Sequence, residues 1–160
     1  MDAWRAFDRE VARWRLGEVT DDDLAHAAGV ALADGADAPG LVELAIGKGS
    51  WEVSAALRRL LAGRGVDLPD EPEAIRLLVV DVAERLEVGT IEPGPALHAL
   101  WALAWRAIQL PIADDLLPFY LFQEDLDEAR GTPAALRDET LAAARELLAR
   151  WPDRRPGAAG

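Results

Sequence analysis

Leu97, Leu100, Trp101, Ala104, Trp105 and Ile108 follow the entry GTIEPGP at i, i+3, i+4, i+7, i+8 and i+11. That spacing lines up one face of an α-helix. Related stripes recur along the chain, separated by residues that start and stop helices. Trp4, Phe7, Val11 and Trp14 mark a helix over about 2–16 that ends at Gly17. Thr20 before three aspartates is a capping-box start, and its helix runs to Asp34 and stops at Gly35. Asp37 and Pro39 open a short helix over about 38–46. Ser50 is expected to cap the next, about 51–62. Asp70, Pro72 and Glu73 begin a helix over about 71–88 with Ile75, Leu78, Val79, Val82 and Leu86 on its apolar side. A proline-interrupted helix follows Pro111, and Thr132–Pro133 starts a last one that reaches Arg150. Period-two alternation is absent and β-branched residues are sparse, so no strand is predicted.

The fold class is therefore all-α, an irregular or orthogonal bundle of about seven or eight helices joined by short loops. At 160 residues, with 51% apolar and 29% charged side chains, the chain suits one domain. A chain of that size buries about 70% of its unfolded surface. Residues 1–151 are assigned to that domain. The tail PDRRPGAAG, 152–160, has nothing to bury and is expected to be disordered. The 95–108 helix is predicted to lie at the centre of the core, which makes Trp105 a core residue whose loss should be among the most damaging.

The net charge of −12 is unevenly spread. Residues 17–73 hold twelve acids against four bases, and 114–131 hold six against one, so these two zones carry all the excess. Nucleic acid and anionic membranes are recognised by Lys/Arg clusters, and neither suits this surface. A basic protein partner does suit it, because opposite fields speed encounter. The absence of cysteine excludes disulfides, thiolate metal sites and a cysteine nucleophile. The first residues, MDAWRAFDREVARWR, lack the apolar run of a signal peptide, and the most apolar tract, 95–105, is too short to span a bilayer. A cytoplasmic protein is expected.

Motifs that would carry chemistry fail on inspection. GKGS, 47–50, has Val42 where a phosphate loop needs glycine and Gly49 where it needs Ser or Thr. EDLDEARG has Arg130 where a calcium loop needs glycine and Leu136 where it needs glutamate. No Glu-x-x-His pair accompanies His26 or His98, so a di-metal carboxylate bundle is not indicated. Ser50 and Ser54 lie in no nucleophile elbow. Asp81 and Arg85, four apart, read as a surface ion pair. No catalytic residue, metal ligand or cofactor is predicted.

One stretch stands apart. In DDLLPFYLFQEDLDEAR, 114–130, an apolar block is fenced by acid, and its large side chains cannot all face one side of a helix. An aromatic anchor within a charged rim is the anatomy of a protein-binding hot spot. Phe119, Tyr120 and Phe122 are the candidate anchors, and Asp114, Asp115, Glu124 and Asp127 the candidate rim. Two functional readings stay open. One is a non-enzymatic acidic module, immunity- or regulator-like toward a basic partner. The other is a helical enzyme or ligand-binding protein that gathers carboxylates, with or without a metal, from separate helices.

The segments GADAPGLVELA (35–45), GTIEPGPALHALW (89–101) and LPFYLFQEDLDE (117–128) resemble elements of a family of small, all-helical, functionally uncharacterised bacterial proteins. The resemblance spans about residues 20 to 150. Ala38 stands where the family has a serine before the proline, which removes a helix-capping hydroxyl there. The shared elements are structural, so the resemblance implies a helical fold and no particular activity.

Overall fold

The computed structural model describes residues 3–127 and 133–151. These are all-helical, with no strand among them. The eight helices are α1 (Ala3–Arg15), α2 (Asp21–Ala33), α3 (Leu41–Ile46), α4 (Ser50–Arg64), α5 (Glu71–Glu87), α6 (Pro93–Arg106), α7 (Ala113–Asp127) and α8 (Pro133–Arg150). Among the described residues, no helix is long and apolar enough to cross a membrane. The tail expected to be disordered lies outside the described residues. The chain gathers into two compact units that divide within the first turn of α5.

In the first unit α1 packs on α2, and α3 and α4 close the other side of α2. Phe7, Val11, Leu24, Leu41, Leu44, Val53, Leu57 and Leu60 meet in a shared apolar core. The capping box at Thr20 is formed: its hydroxyl accepts from the Asp23 amide, and the Asp23 carboxylate accepts from the Thr20 amide. Three cross-links fasten the helices. The Arg64 guanidinium grips both oxygens of Asp8 and lies over the Trp4 ring, 4.1 Å from its centroid, tying α4 to α1. Trp14 Nε1 donates to Asp21 at 2.7 Å, and Ser50 Oγ donates to the other oxygen of the same carboxylate. Gly40, at φ +90°, presses the start of α3 onto the α4 backbone.

Two helix starts differ from the expectation. Gly40 adopts a left-handed conformation that no helix interior tolerates, so α3 begins at Leu41 rather than near residue 38. Gly49 is the N-cap of α4, which leaves Ser50 inside the first turn with its hydroxyl spent on Asp21 instead of on a cap.

In the second unit α5 buries Ile75, Leu78, Val79, Val82 and Leu86, the stripe predicted from spacing. Arg85 and Asp81 form the expected i,i+4 pair at 3.5 Å. α6, α7 and α8 pack pairwise on one another. α7 continues through Pro118 rather than breaking there.

Candidate functional site

α6 is apolar nearly all round, and it buries only part of the predicted stripe: Leu97, Leu100 and Ala104 are inside, Trp101 is half-buried, and Trp105 and Ile108 are exposed. Ala96, Leu97, Leu100, Leu103, Ala104 and Ala107 face inward. At 100° per residue this face lies about a quarter-turn from the predicted stripe. Small residues explain the rotation: Ala96, Ala104 and Ala107 let the neighbouring helices approach closely, as the larger rings would not. Trp105 is therefore not a core residue. It is 55% exposed, and Ile108 beside it is also exposed.

The displaced aromatics are ordered. His98, Trp101 and Trp105 form a row along α6, with ring centroids 5.6 Å and then 6.4 Å apart and planes inclined by only 26° and 30°. Tyr120 extends the row from α7, its ring 5.9 Å from that of Trp105 and tilted by 13°. Near-parallel rings at these separations are offset stacks, worth about 0.5–1.5 kcal/mol per pair beyond the area they bury. Each ring overlaps its neighbour only in part, so the stack leaves aromatic surface open to solvent.

α7 supplies the other half of the face. Asp114, Leu117, Tyr120, Leu121 and Glu124 fall within an arc of about 120° on an ideal helix. Leu117 is 50% exposed, Leu121 is 46% exposed, and the two acids are exposed as well. The Tyr120 hydroxyl donates to the Glu124 carboxylate, and that bond, more than any burial, pushes the phenol above its ordinary pKa.

The predicted site residues divide accordingly. Asp114 and Glu124 are exposed, and Tyr120, half-buried, shares their face. Phe119 is 1% accessible and forms its floor with Leu116, and Phe122 is half-buried. Asp115 turns away from the rim: one oxygen accepts from Arg150 at 2.9 Å and the other from Trp151 Nε1 at 3.0 Å. It clamps the start of α7 to the end of α8, while Arg76 of α5 covers the Trp151 ring at 5.0 Å. The Asp127 side chain lies outside the described residues. Sequence reasoning credited Trp101 and Trp105 to the core; Trp105 is exposed and Trp101 half-buried, beside an exposed His98.

The carboxylate alternative has little material in the described residues. No group of three or more His, Asp or Glu side chains there is placed to hold a metal ion. A cleft of about 460 Å³ between α1 and α2 has Glu10, Glu18, Asp23 and His26 on its walls. Glu10 pairs with Arg13 at 3.1 Å, Glu18 lies 3.7 Å from Arg13, and Asp23 is spent on the Thr20 cap. Three acids of this cleft thus have structural partners, and Asp34 lines it as well. No protein-family model, curated protein or solved structure matches the chain.

Proposed function

We propose that the chain is a non-enzymatic protein-binding module, cytoplasmic, that docks a basic partner on the outer face of α6 and α7. The supporting observation is the open row His98–Trp101–Trp105–Tyr120, flanked by Leu117 and Leu121 and bordered by Asp114 and Glu124. Rigid aromatic anchors beside aliphatic groups supply binding energy at low entropic cost, and the acids around them set the sign of the partner. The acidic excess of residues 114–131 speeds the approach of a positively charged surface. Such a module acts by occupying its partner, as an immunity protein or a regulator does.

A photo-crosslinking amino acid placed at Ile108 or Leu121, in the cells that make the protein, tests this. Discrete adducts are expected at both positions, with the crosslinked partner peptide rich in Lys and Arg, and Trp105→Ala should abolish them. The control position is Val88, which is exposed outside α6 and α7. Adducts that are missing, that form equally at Val88, or that fall on an acidic peptide would refute the reading.

A further inference from the structure

The α6–α7 face has a geometry that distinguishes between the two basic side chains. A lysine ammonium is a compact, strongly hydrated point charge, whereas a guanidinium is a plane that stacks on an aromatic plane and directs its N–H groups sideways to a carboxylate. From Trp101 through Trp105 to Tyr120 the rings form an offset stack, and the part of the Trp105 face that its neighbours leave uncovered is open to a flat cation. One turn along α7 from Tyr120 stands Glu124, solvent-exposed, with lone pairs able to accept from a partner's donors.

The chain uses this arrangement within itself. In the first unit a guanidinium covers Trp4 while its N–H groups are taken by Asp8. In the second, a guanidinium covers Trp151, whose indole N–H is held by Asp115. In the first, the arginine that covers the ring also binds the carboxylate; in the second, Asp115 binds the indole N–H and a different arginine, Arg150. On the outer face of α6 and α7 the tryptophan and the carboxylate are present and open to solvent.

We propose that this face is selective for arginine: the partner lays guanidinium groups on the Trp105–Tyr120 rings and donates to Glu124. This rests on the docking reading above and narrows its partner class from basic to arginine-bearing.

The test compares two alanine-rich helical peptides of about 18 residues, one with arginine at every fourth position and the other its lysine-for-arginine twin. The twins share charge and closely similar helix propensity, and binding to the full chain is measured by calorimetry. The arginine peptide is expected to bind at least about tenfold more tightly, which corresponds to about 1.4 kcal/mol. Trp105→Leu should erase that difference and leave only weak, salt-sensitive binding common to both peptides. Glu124→Gln should shrink it. Melting curves of both variants near wild type tie the effect to the face rather than to folding. Equal affinity for the twins overturns arginine selectivity and leaves the docking reading standing, as does a preference that survives in Trp105→Leu. Failure of both peptides to bind overturns the selectivity and the basic partner together.

Discussion

Trp105→Ala and Phe119→Ala, made separately, should have unequal costs, because one residue lies on the open face and the other forms its floor. Phe119 is 1% accessible, so its truncation loses the full transfer free energy and leaves a closed void. Such changes cost about 3–5 kcal/mol. Trp105 is 55% exposed and covers less than half of its surface. That is on the order of 100 Å² for a residue of this size, or at most about 2.5 kcal/mol at about 25 cal/mol per Å². Alanine would still cover part of that area, and an open site leaves no cavity, so about 1–2 kcal/mol is expected. Against a total stability of about 5–15 kcal/mol the difference is readily measured. Urea denaturation followed by helical circular dichroism gives both values from the midpoint shift at constant slope. A Trp105→Ala loss equal to that of Phe119→Ala, above about 3 kcal/mol, would refute the surface assignment.

Two further outcomes follow from the first unit. The bonds from Ser50 and then Trp14 hold the Asp21 carboxyl below its ordinary pKa. A carboxyl depressed in this way contributes stability that is complete above its unfolded value of about 3.9 and is lost as the pH falls through the lower folded value. Asp21→Asn should therefore flatten the fall of melting temperature below about pH 4; an acid limb as steep as that of wild type would sink the assignment. Gly40→Ala should cost about 2–4 kcal/mol, because its Cβ would stand 2.9 Å from the Leu60 nitrogen and 3.1 Å from the Ala56 oxygen in addition to the strain of positive φ. Gly35→Ala, at φ +89° with nothing within 4 Å, should cost only the strain of about 1–2 kcal/mol, and equal losses at the two sites would show that the close approach to α4 is not tight.

Most of the fold was legible because helix ends are written locally. The Thr20–Asp23 box, the Asp70 carboxylate that accepts from the Glu73 amide, and the left-handed glycines at 17, 35, 65 and 89 all act within a few residues of themselves. What failed was set at a distance. Asp115 was placed on the rim by its neighbours in sequence, but its donors are Arg150 and Trp151, more than thirty residues away. Tyr120 could be assigned to the aromatic row only once α6 and α7 were known to pack together. The register of α6 failed for another reason. With apolar groups on almost every side, the stripe through Trp101 and Trp105 and the one through Leu103 and Ala107 fit the helical period equally well, and only the closeness of the neighbouring helices decides between them.

That decision bears directly on function. A chain shaped by stability alone would bury its largest apolar side chains and leave alanine outside, since burial returns free energy in proportion to area. α6 departs from this in part: Leu97, Leu100 and Leu103 are inside, but so are Ala96, Ala104 and Ala107, while Trp105 and Ile108 are out. The first unit also exposes a large ring, Trp51 at 82%, near exposed Val42 and Ile46. There the aromatic stands without a described ring partner. On α6 and α7 four rings stack in a row and aliphatic neighbours share the face. Ordering exposed rings costs conformational entropy that stacking offsets only in part. The docking proposed above would recover the remainder by covering the row.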